Sequence, residues 1–135
     1  MSFREKSAWV MGAIMLATGI WYASLVAAAP HAPVIGPLIP YVLAVIVLSV
    51  VAQTILAISS PKEANAPADE RERAAIDLAG HWSGIVLGVL AISSCITYVV
   101  LPNGTMLFHH IIGAVILSQL AEYVFQVFFF RRAVR

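Results

Sequence analysis

Charge is what this chain has least of. Eight Lys and Arg and seven Asp and Glu make up 11% of 135 residues, against about a quarter in a soluble domain. A soluble fold of this length is therefore the wrong expectation. Cysteine is scarcer still: Cys95 alone excludes an internal disulfide and any cysteine-based zinc site, and its place in an apolar run reads as a small buried thiol. The few cations are scattered rather than gathered on a basic face, which excludes nucleic acid as a partner. No nucleophile–base arrangement, phosphate loop or paired-carboxylate pattern is present, so the chain reads as no enzyme and no cofactor is implied.

What is present is apolar length. Hydrophobic residues make up 61% of the chain and the mean hydropathy is +0.90. A hydrocarbon core of ~30 Å takes roughly 20 apolar residues per helix, so four spans and one polar loop use the whole sequence. The first span covers about 8–29. The Ala27-Ala28-Ala29 run resembles a signal-peptide cleavage site, but the apolar stretch exceeds the ~7–15 residues of an h-region, and it is read as retained. Pro30–Pro37 (PHAPVIGP) is a turn, since its prolines cannot continue a helix. The second span covers about 38–59, with Pro40 in its first turn. Residues 60–77 hold the central polar loop and a helix extension. In that loop Asp69 and Glu72 have capping-box spacing, so one helix is expected from Asp69 to Val100, spanning the membrane over about 78–100. Leu101–Thr105 (LPNGT) turns the chain into a fourth span at about 106–130. The fold class is an all-α membrane protein, a four-helix bundle of two up-down hairpins forming a single domain.

All eight Lys and Arg fall on one side of this four-span arrangement, and the two opposite loops have none. The positive-inside rule then places both termini and the central loop in the cytoplasm. Trp9 and Trp82 are expected at the cytoplasmic interface, and Tyr41 and Tyr98 near the outer one.

The third span has the clearest helical pattern. Gly80, Gly84 and Gly88 recur every four residues, which lets backbones approach closely in lipid. At 100° per residue, Arg73, Asp77, His81, Ala91, Cys95 and Tyr98 share that face within about 60°. The expected role is close packing on another helix, either within the chain or on a second subunit. In the first span Ala8, Gly12, Gly19, Ala23 and Ala27 fall on one side, so packing of the first span against the third is expected.

The fourth span carries an acid inside the membrane, Glu122, flanked at helical spacing by Ser118, Gln119, Tyr123 and Gln126. A lipid-facing carboxylate is costly, so this stripe is expected to face inward. Counted by helical rise, His81 and Gln53 lie at the depth of Glu122, ~12–13 Å from the charged boundary, with Asp77 one turn nearer the cytosol. Such a level suits a proton acceptor or relay; it equally suits a carboxylate held by hydrogen bonds with a purely structural role. His31, His109 and His110 fall at the outer surface. They are weak metal or haem candidates, because adjacent histidines on a helix point ~100° apart rather than converging.

Two segments, Ser2–Trp9 (SFREKSAW) and Asp69–Ile76 (DERERAAI), together with the closing Arg131-Arg132 pair, resemble small four-span bacterial inner-membrane proteins of the DUF2178-like kind. The resemblance implies a bacterial inner membrane and carries no established activity. The expected function is that of a non-enzymatic accessory or interaction protein in the lipid bilayer, forming a homo-oligomer or meeting a membrane partner protein. The alternatives are a proton-coupled small-molecule transporter using Glu122 and, more weakly, a haem-binding electron-transfer subunit.

Overall fold

A computed structural model describes residues 2–133, and among them every regular element is helical. The helices are α1 (Phe3–Ala28), α2 (Ile35–Ser59), the single turn α3 (Pro61–Ala64), α4 (Glu70–Val100) and α5 (Gly104–Ala133). Four of them, all but α3, are long and apolar enough to cross a membrane. The chain is thus a multi-pass membrane protein by helix length and hydropathy. Its termini, α3 and the loop to α4 share one end of the bundle; the α1–α2 and α4–α5 turns form the other.

Helix starts are set by short polar side chains. The Ser2 hydroxyl accepts the Glu5 N–H at 3.3 Å, and the Asp69 carboxylate accepts the Glu70 N–H at 2.7 Å. Each satisfies a donor that the first turn leaves without a partner. The expected capping box is not made, since Asp69 caps the Glu70 N–H rather than that of Glu72. Glu72 instead pairs with Arg4 (3.2 Å), and Glu5 with Arg131 (3.3 Å), while Lys6 approaches Glu63 at 3.9 Å. The carboxylates leave their own helix ends because they can link different helices.

The α2 helix begins at Ile35, three residues before the expected Leu38. Pro37 lies in its first turn, where a missing N–H costs nothing because no intrahelical acceptor exists there. Pro40, one turn further in, is accommodated inside the helix. The expected linker at Pro61 contains α3, with Pro61 at its first position. The Asn103 side chain accepts the Met106 N–H at 3.1 Å, so α5 starts at Gly104 rather than Met106.

The long helices pack in the order α2–α1–α5–α4, with the largest contact between α4 and α5. On α4 the buried residues are Ala75, Ala79, Ser83 and Ser94. This is a small-residue seam of the expected kind, but it lies one position before Gly80 and Gly84. The glycine face was expected to pack within the chain or on a second subunit. It does not pack within the chain: a Cβ built on Gly80, Gly84 or Gly88 meets nothing within 4 Å. The expected contact of α1 with the third span is also replaced. A Cβ on Gly19 would lie 2.8 Å from Ile116 Cγ2, and one on Gly12 3.4 Å from Tyr123 Cβ, both on α5. Gly12 and Gly19 do mark a close helix crossing, with the fourth span.

Elsewhere the surface is what a bilayer requires. Ile39, Leu43, Ile46, Val47 and Val50 of α2 are exposed, as are Ile92, Ile96 and Val99 of α4. Hydroxyl groups in the spans bond to carbonyls of their own helices: Thr18 to Ile14 at 2.7 Å, Ser94 to Leu90 at 2.8 Å and Ser118 to Val115 at 2.9 Å. Each of these three hydroxyls thus finds its partner within its own helix, in a medium that offers none. Trp9 and Trp82 are exposed near the charged end, and the Arg131 guanidinium sits 5.5 Å from the Trp9 ring. Tyr41 departs from the expected outer belt: it is buried against Tyr22, ring centres 5.1 Å apart.

Candidate functional site

The intramembrane polar residues do not converge on one centre. Glu122 is half-buried and accepts a hydrogen bond from Gln126 Nε2 at 3.1 Å, one turn along the same helix. Ser118 is buried, and Gln119 and Tyr123 are half-buried, so the α5 stripe does turn largely inward. Gln53, on α2, donates instead to Ser7 Oγ of α1 at 2.7 Å. His81 and Asp77 are exposed on α4, and the His81 ring stands edge-on to Trp82 at 6.1 Å. The level that counting along the helices gives to Glu122, His81 and Gln53 is therefore not accompanied by a hydrogen bond from either residue to Glu122 among the described residues. Equal depth fixes height but leaves the direction around each helix open, and here the directions diverge.

Two arrangements are built instead. The first is the outer face of α4. Asp77, Gly80, His81, Gly84, Gly88 and Cys95 are all exposed on it, opposite the Ala75–Ala79–Ser83 seam. Cys95 is thus not the buried thiol expected from its apolar neighbours. A glycine surface flanked by an acid and an imidazole is poorly matched to lipid, which offers neither hydrogen bonds nor charge.

The second lies at the end opposite the termini. His109 is half-buried, whereas His31 and His110 are exposed. The Tyr22 hydroxyl lies 2.7 Å from His109 Nδ1 and the rings are 5.9 Å apart. Tyr22, Tyr41 and Ile116 form one core cluster joining α1, α2 and α5. The pairing engages Nδ1 and leaves Nε2 as the free ring nitrogen. Residue-by-residue reading missed Tyr22. The signal was its place seven residues beyond Met15 on the buried stripe of α1, because a buried tyrosine hydroxyl needs a partner. No group of three or more metal-binding side chains converges among the described residues, although His31, His109 and His110 line one cavity of about 550 Å³.

No protein-family model, curated protein or solved structure matches the chain. What the fold defines is a small four-span membrane protein.

Proposed function

We propose that this protein is a non-enzymatic component of a bacterial inner membrane, with both termini cytoplasmic, that acts by lateral association of two copies through the exposed face of α4. The observation that carries this reading is the unfilled glycine surface at Gly80, Gly84 and Gly88 next to exposed Asp77 and His81. Glycines permit close backbone approach in lipid, and a second copy supplies hydrogen-bond partners that acyl chains lack. Two copies in the same membrane orientation are related by an axis along the membrane normal, so like residues meet at like depth. That arrangement brings Cys95 of one copy towards Cys95 of the other, and Cys95 is the chain's one cysteine.

Oxidative or bismaleimide cross-linking in native membranes tests this directly. The wild-type chain is expected to give a covalent dimer through Cys95. Gly84→Leu is expected to abolish it without unfolding the protomer, because the added side chain meets open space within the chain. Absence of a dimer in wild type, or equal dimer yield in Gly84→Leu, overturns the reading. The alternative, a proton-coupled transporter, would rest on Glu122, which accepts from Gln126 of its own helix, while Gln53 donates to Ser7 and His81 stands against Trp82.

A further inference from the structure

A groove runs along the seam of α1 and α5, on a different face from the α4 glycines. Its volume is about 470 Å³, and its walls include Leu16, Gly19, Ala23, Gly113, Leu117 and Leu120. At the end opposite the termini it meets the histidine-lined cavity, because Val26 and His109 belong to the walls of both. An apolar slot and a polar chamber thus adjoin at this end, with Val26 and His109 as a shared wall. From His109 to Leu120 is eleven residues of α5, ~16 Å by helical rise. That is about half of a ~30 Å hydrocarbon core, the depth of one leaflet.

The chamber has a definite electrostatic character. Its walls carry His31, Asn103, Thr105, His109 and His110 and no carboxylate. The sequence has no Asp, Glu, Lys or Arg between Ser7 and Pro61 or between Leu78 and Ala121, so histidines are the groups at this end that can carry full positive charge. Asn103 uses its carbonyl oxygen to cap α5, which leaves its amide N–H groups free to donate. Tyr22 engages His109 Nδ1, and Nε2 remains to face a ligand. The first turn of α5 adds the positive end of a 30-residue helix. The imidazole and Asn103 amide N–H groups and the start of α5 can all meet an anion, and no carboxylate lines the chamber to hold a cation.

We propose that groove and chamber together hold one anionic glycerophospholipid of the surrounding leaflet, its phosphate in the histidine chamber and one acyl chain between α1 and α5. A zwitterionic lipid would bring an ammonium group to a chamber without a carboxylate to meet it. The chemistry therefore selects phosphatidylglycerol over phosphatidylcholine. This assignment does not depend on the α4 face being an interface.

The test is native mass spectrometry of the full-length protein in detergent, titrated separately with phosphatidylglycerol and phosphatidylcholine. Wild type is expected to retain phosphatidylglycerol about fivefold more strongly, the scale of one surface cation acting on an anionic lipid. His31→Asn with His110→Asn, both at exposed positions, is expected to lose that preference while still retaining lipid. Gly113→Leu fills the groove, since a Cβ at Gly113 meets nothing within 4 Å, and is expected to lose both lipids. Equal retention of the two lipids by wild type overturns the proposal, as does undiminished lipid retention by Gly113→Leu. Loss of the Cys95 cross-link in Gly113→Leu would also overturn it, by showing that the groove holds protein.

Discussion

Gly19→Ala isolates the tightest point of the bundle. The added methyl would lie 2.8 Å from Ile116 Cγ2, and Ile116 is 7% exposed within the Tyr22–Tyr41 cluster. Cγ2 sits on a β-branched carbon whose χ1 freedom is small, so relief must come from movement of α1 away from α5. Overpacking of this kind costs about 1–3 kcal/mol. Replacing a mid-helix glycine gives back about 1 kcal/mol of helix propensity. Gly113→Ala supplies the reference, because it makes the same propensity change on α5 with nothing within 4 Å. The stability difference between the two variants therefore equals the steric cost alone. Unfolding in mixed micelles by SDS titration should place Gly19→Ala about 1–3 kcal/mol below Gly113→Ala. Placing both in an Ile116→Ala background removes the obstructing methyl, and the difference should then shrink by the coupling of about 0.5–3 kcal/mol expected of contacting residues. If Gly19→Ala matches Gly113→Ala with Ile116 present, the close crossing of α1 on α5 is refuted.

Two further substitutions probe single hydrogen bonds. Tyr22→Phe removes the hydroxyl at His109 Nδ1 and is expected to cost about 0.5–1.5 kcal/mol in the same unfolding assay; no loss would show that the pair does not join α1 to α5. Asp69→Ala removes the α4 cap and is expected to cost about 1 kcal/mol. Faster hydrogen exchange should then be confined to the first turn after Glu70, and unchanged exchange there would count against the cap.

The number of spans, their breaks at proline and the Asp69 start of α4 could be read from the sequence because each depends on local chemistry. Direction around a helix was less legible. On α4 the Ala75–Ala79–Ser83 and Gly80–Gly84–Gly88 series are both small-residue repeats, one position apart, and each permits close packing. The choice depends on which surface α5 presents, a property of residues such as Tyr123, Val127 and Phe130 far along the chain. The same gap explains the polar level. Gln53, His81 and Glu122 match in height, but Ser7 and Gln126 lie nearer in direction to Gln53 and Glu122, and His81 turns outward. The Tyr22–His109 contact joins residues 87 apart, and no local pattern links them.

The ion pairs at the terminus end also carry an order in time. Arg4, Glu5 and Lys6 meet Glu72, Arg131 and Glu63 respectively, so one turn of α1 waits for three later segments. During synthesis that turn emerges first, and Arg131 follows 126 residues later. Lys6 and Arg4 find Glu63 and Glu72 midway along the chain, and Glu5 waits longest, for Arg131 on the last helix. Once α5 arrives, the same turn becomes a latch holding the first and last helices together. One turn made early in synthesis is thus completed only by the last helix to be made.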